Sequence, residues 1–149
     1  MSLTRTLLPA LAPLMLFWAT AALADDDVAC NADGTQIEMN ACAFDDLQKA
    51  DDELNAVYQQ AMDFARSEDA NADIQSDDDS AVATLKKAQR AWIRDRDRQC
   101  GDGSGGGSMQ SMEIASCRTE LTQRRTEELR SMLEEGRSAA ADAQAEGGQ

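Results

Sequence analysis

Gln89-Arg90-Ala91-Trp92-Ile93-Arg94-Asp95-Arg96-Asp97-Arg98-Gln99-Cys100 decides how this chain is read. With the residues before it, it predicts a helix from about Ser80 to Gln99 that carries Val82, Leu85, Gln89, Trp92, Ile93 and Arg96 on or beside its inward face. Two of those positions, Gln89 and Arg96, are polar. Trp92 reads as the central core residue rather than a ligand-stacking ring. After Cys100 comes Gly101-Asp102-Gly103-Ser104-Gly105-Gly106-Gly107-Ser108, whose five glycines oppose any regular element and predict a flexible loop.

The flanking segments repeat the helical interval. Upstream, Thr35 and Glu38 have the spacing of a capping box. Phe44, Leu47, Leu54, Tyr58, Ala61 and Ala65 then form an apolar stripe to about Arg66, with Asp51 set inside it. The polar stretch from Ser67 to Ser80, which contains Asp77-Asp78-Asp79, reads as a solvated connection or frayed helix. Downstream, a third helix is expected from about Met109 to Glu135 through Met112, Ala115, Leu121, Thr122, Arg125, Leu129 and Met132. Residues 136–149, rich in Ala, Gly, Glu and Gln, are expected to be disordered. The chain should therefore be all-α, a small bundle or long hairpin of about three helices. Asp51 and Arg96 are candidates for a pair between the first two helices, with Arg125 competing for the same carboxylate. Such a pair would fix helix register, unless both groups simply lie at a solvated edge.

The first residues explain the compartment. One cation, Arg5, precedes an apolar run from about Leu7 to Leu23, and the small-residue site Ala22-Leu23-Ala24 is followed by Asp25-Asp26-Asp27. This pattern is that of a cleavable secretory signal over residues 1–24. A membrane anchor is the alternative, since the run just reaches across a thin bilayer, but Pro9, Pro13 and the acidic flank favour cleavage. A lipoprotein would need a cysteine directly after the cleavage point, and Cys30 lies too far downstream. Cleavage leaves one domain, read over residues 25–135, and no stable membrane insertion.

The chain has 28 acidic and 14 basic residues. Losing Arg5 with the leader takes the net charge from −14 to −15. Such a surface repels nucleic acid and anionic lipid and attracts cationic proteins, besides favouring solubility. There is no histidine, which removes the usual general base, the commonest zinc ligand and imidazole-dependent triads. Asp69-Ala70-Asn71-Ala72-Asp73 copies the start of a calcium loop, but Ile74 replaces the turn glycine and Ser80 the bidentate Glu. Glu38, Asp45, Asp46, Glu53, Glu127 and Glu128 show no catalytic spacing. No enzyme activity, metal or cofactor is expected.

Four cysteines in an exported chain read as two disulfides. Of three possible pairings, the two local ones, Cys30 with Cys42 and Cys100 with Cys117, would each tie a helix end to its neighbouring loop. Loops of this size contribute roughly 3 kcal/mol each on a chain-entropy account.

Four ordered segments carry a resemblance. Cys30 and Cys42 around Thr35-Gln36-Ile37-Glu38-Met39-Asn40, the stretch Ala50-Asp51-Asp52-Glu53-Leu54-Asn55-Ala56-Val57-Tyr58, Gln89-Arg90-Ala91-Trp92 through Cys100, and Cys117 with Leu121-Thr122 and Arg125-Thr126 resemble the LprI-like lysozyme-inhibitor domain family. The resemblance spans about Cys30 to Leu133. It implies a periplasmic or secreted helical domain with two structural disulfides that binds and blocks a lysozyme, with Trp92 and Arg96 as framework. The chain departs from the family's lipoprotein members by lacking a lipidation cysteine, and its third-helix loop is unusually glycine-rich. On this expectation Asp77, Asp78 and Asp79 attract a cationic protein partner, and the loop offers Ser104 and Ser108 hydroxyls to the lysozyme cleft, unless it is only a linker. A different class of function is a non-inhibitory periplasmic structural or stress-related binding protein.

Overall fold

The computed structural model describes residues 28–72, 80–104 and 106–147. The signal read over residues 1–24 and the Asp77–Asp79 run lie outside them. Three helices follow in order, α1 (Gln36–Asn71), α2 (Ala81–Cys100) and α3 (Ser108–Gly147), and no strand occurs among the described residues.

Local chemistry sets the helix ends. Glu38 N donates to the Thr35 hydroxyl at 3.4 Å while Thr35 N donates to the Glu38 carboxylate at 2.7 Å, closing a capping box at the start of α1. The Thr35 backbone bond, with the Thr35 hydroxyl second, holds the Glu38 carboxyl below its ordinary value. A lowered carboxylate pKa means that this contribution is complete above the ordinary Glu range and is lost as pH falls through the lowered value. α2 is capped twice, since Ala83 N donates to the Ser80 hydroxyl at 3.0 Å and Ala81 N and Val82 N donate to the Asp69 carboxylate at 2.7 and 3.1 Å. At its other end the chain turns away through Gly101 at φ +84°, a left-handed conformation that favours glycine.

α1 and α3 run parallel, and α2 returns antiparallel along the groove between them. Contacts fix these directions. Asn40 meets Ser108 and Asp51 meets Thr122, so α1 and α3 numbers rise together. Asp69 meets Ala81 and Asp51 meets Arg96, so α1 and α2 numbers run in opposite senses. The buried residues of the parallel pair repeat at the three and four residue steps of a coiled-coil seam: Ala43, Ala50, Leu54, Val57, Ala61 and Ala65 on α1, and Ala115, Thr122, Thr126, Leu129 and Leu133 on α3. Small residues, Ala43, Ala50, Ala115 and Thr122, occupy the first half and let the backbones approach. Leu54, Val57, Met62, Leu85, Leu129 and Leu133 fill the second half, with Tyr58, Val82 and Trp92 packed against them. Where α1 presents Phe64, α3 presents Gly136: a Cβ there would stand 2.7 Å from the ring.

Several expectations need correction. α1 continues five residues past Arg66, because nothing in Ser67-Glu68-Asp69-Ala70-Asn71 breaks a helix and Asp69 is anchored to α2. The tail from Gly136 is helical as far as Gly147 rather than disordered. Its alanines extend an already nucleated helix at little cost, although nearly all of it stays exposed. Phe44, Ile93 and Met132, read as inward, are exposed, and Ala50, Val57, Thr126 and Leu133 take the buried positions. Phe44 and Met132 each stand one residue from a buried seam residue, Ala43 and Leu133, and so about 100° around the helix from it.

The Phe64 and Gly136 fit generates a prediction. Gly136→Leu should lower the thermal midpoint despite its better helix propensity, and the loss should shrink in a Phe64→Ala background, with a coupling of about 1 kcal/mol. Thermal unfolding of the two single variants and the double variant checks this.

Candidate partner-binding surface

A polar layer crosses the bundle where the small-residue half of the seam meets the larger core. Arg96 reaches from α2 into the gap between α1 and α3, donating through Nη1 to Asp51 Oδ1 at 3.1 Å and to Thr122 Oγ1 at 3.2 Å. The Thr122 hydroxyl donates in turn to Asp51 Oδ1 at 3.3 Å. Thr122 is fully buried, the Arg96 side chain is 14% exposed and Asp51 37%. The guanidinium also bonds Asp97 through Nε at 3.2 Å and lies 5.2 Å from the centre of the half-buried Trp92 ring. One cation therefore joins all three helices. Because Asp51 keeps contact with water, the layer acts as a register device with a modest energy rather than a fully desolvated ion pair.

Arg125 does not compete for Asp51. Its Nε donates to the buried Gln89 Oε1 at 3.1 Å, and its Nη1 pairs with Glu128 at 2.9 Å. Arg125 lies one turn along α3 from Thr122, level with Gln89 on the antiparallel α2, so it meets the amide instead. That bond explains the buried glutamine.

Both disulfides, Cys30–Cys42 and Cys100–Cys117, brace the same end of the bundle. The first ties the entering strand of chain to α1. The second ties the end of α2 to α3, and Arg118 Nη2 adds a bond to the Gly101 carbonyl at 3.1 Å. In the loop that follows, the Asp102 carboxylate accepts from Ser104 Oγ at 2.6 Å and Ser104 N at 2.9 Å, which holds the Asp102 carboxyl below the ordinary aspartate value, the hydroxyl bond first. Ser104 is thus engaged within the loop. Ser108 is exposed at the first position of α3, where its carbonyl accepts from Asn40 Nδ2 at 3.0 Å.

Carboxylates dominate the rest of the surface. Along the side away from α2, Glu53, Glu120, Glu127 and Glu128 line a shallow groove with Arg124, and Arg130 bridges Glu53 and Glu127. Among the described residues no three acidic or cysteine side chains gather as a metal site. Asp69, the first position of the calcium-like run, caps α2 instead. No helix among the described residues is long and apolar enough to cross a membrane.

A helical domain with two local disulfides and one half-buried arginine layer is thus the frame to compare with known proteins. The profile of the family described as "Lysozyme inhibitor LprI" matches residues 28–129, which include both disulfides and the whole Asp51–Thr122–Arg96 layer. The chain belongs to the LprI family. An uncharacterised protein of Rhizobium meliloti (strain 1021) is 38% identical over 134 residues, covering 87% of this chain and 96% of that relative. No solved structure matches. The LprI match ends inside α3, so the helix beyond Leu129 is outside the matched region.

The arginine layer of this LprI domain sets a stability scale. Asp51→Ala, which leaves the guanidinium and the Thr122 hydroxyl short of an acceptor, should lower unfolding free energy by about 1–2 kcal/mol. Arg98→Ala, which removes an exposed pair with Asp95, should change it by less than about 0.5 kcal/mol. Urea unfolding followed by circular dichroism compares the two.

Proposed function

We propose that the protein, in the periplasm or secreted, binds a lysozyme and inhibits it without any catalytic chemistry of its own. Membership of an inhibitor family over residues 28–129 carries this reading. Two disulfides agree with an oxidising compartment outside the cytoplasm. Charge gives the physical means. Many lysozymes are strongly basic, with two catalytic carboxyl groups in the substrate cleft, and a partner with so large an excess of carboxylates is steered toward such a surface. Steering brings the proteins together. A rigid face must then hold them, and a frame braced by disulfides and a half-buried polar layer loses little conformational entropy on binding.

No defined inhibitory loop motif stands out in the sequence. Asp77, Asp78 and Asp79 remain candidates for attraction. Ser104 is a weaker candidate for the cleft, because its hydroxyl already bonds Asp102.

The test is the lysis rate of a cell-wall suspension by goose-type, chicken-type and invertebrate-type lysozymes, with residues 25–149 titrated in at about 0.15 M salt. Saturable inhibition of at least one class is expected. Inhibition that appears only at low salt would mean charge attraction alone, and no inhibition of any class would favour a non-inhibitory envelope protein.

A further inference from the structure

α2 is much shorter than the helices it packs against, and the side of α1 it fails to reach carries two large exposed apolar side chains. Ile37, Phe44 and Asp51 lie seven residues apart, so they share one face of α1, the face that meets α2 through Arg96. From that contact α2 runs only four residues further, to Cys100, or about 6 Å. Phe44 and Ile37 lie about 10 and about 21 Å along the same direction from Asp51. They are 51% and 64% exposed. The described part of the following loop bends over α3, where Arg118 holds the Gly101 carbonyl and a Cβ on Gly103 would stand 3.7 Å from Ile114 Cδ1, and the chain meets this side of α1 at Ser108, whose carbonyl accepts from Asn40 between the two exposed side chains.

Isolated exposed apolar residues are ordinary. Here Ile37, Ala41, Phe44 and Leu47 follow at helical steps and prolong, beyond the end of α2, the seam that α2 covers elsewhere. The exposed carboxylates of Asp45 and Asp52 border this strip. An aromatic anchor with a charged rim is the usual anatomy of a binding surface.

We propose that the Ile37–Phe44 face of α1 is the surface that docks the cationic protein partner; this rests on the reading that the partner is a lysozyme. Lysine or arginine stems of the partner lie over Phe44 and Ile37 while their charged heads meet Asp45 and Asp52. Charge selects this occupant over a second copy of the chain, which would bring its own net negative charge to the same acidic rim. The disulfide Cys30–Cys42 ties the segment before α1 to the part of the helix that carries the strip.

The experiment measures inhibition constants of residues 25–149 and of Phe44→Ser, Ile37→Ser and Met132→Ser against the lysozyme class that the unaltered chain inhibits, with thermal midpoints and sedimentation alongside. Phe44→Ser and Ile37→Ser should each weaken inhibition at least about tenfold with midpoints unchanged, and Met132→Ser, at the far end of the bundle, should leave it unaltered. Because Ile37 is the more exposed, its variant answers the question even if Phe44→Ser disturbs folding. Full inhibition by both α1 variants would overturn the surface and leave the lysozyme reading standing. Equal weakening by Met132→Ser, or a dimer of the unaltered chain that either α1 variant dissociates, would also overturn it. Absence of inhibition by the unaltered chain would remove the reading and the surface together.

Discussion

Parallel packing of α1 against α3 is the constraint on which the rest of the structure depends. Two parallel helices cannot be joined by a short turn, so the chain must travel back the length of the pair before starting the second one. α2 is that return. Its position in the groove follows from the same requirement, and so does the need for a polar group to set its height: Arg96 can satisfy Asp51 and Thr122 together at one register only. The small residues at Ala43, Ala50, Ala115 and Thr122 allow the close approach that makes the parallel seam stable without large side chains.

Much of this was legible in the sequence, and the exceptions share a cause. The three helices, the Thr35 cap and both cysteine pairings follow from local signals: periodicity, a side chain three residues from its partner, and loops of short reach. The inward faces were harder. Hydrophobic periodicity gives weight to Phe44 and Met132, but the parallel seam buries Ala50 and Thr126, and that choice is invisible until the partner helix is known. Arg125 was misplaced for a related reason, since its choice between Asp51 and Gln89 depends on the height of α2 and not on spacing within α3. Beyond Gly136 the composition, having nothing to bury, suggested disorder, while alanine propensity and an existing helix kept the chain helical.

The candidate surface was only partly legible. Carboxylate excess could be read at once, and the four-segment resemblance reached the family that the profile match then gave. Which acidic or apolar residues stand together is a property of three helices of unequal length. Phe44 looks like core in one dimension, yet it stands exposed on a face of α1 that α2, ending at Cys100, does not reach.

Both covalent ties sit where α1 and α3 begin, and none holds the opposite end. Resistance to opening is therefore graded along the rod: amide protons around Cys42 and Cys117 are shielded by cross-links as well as packing, while those from Ala139 to Glu146 rest on a solvated helix that frays freely. Peptidases would find those turns first, and trimming there removes residues that bury almost nothing, leaving the clamped end and whatever it holds intact.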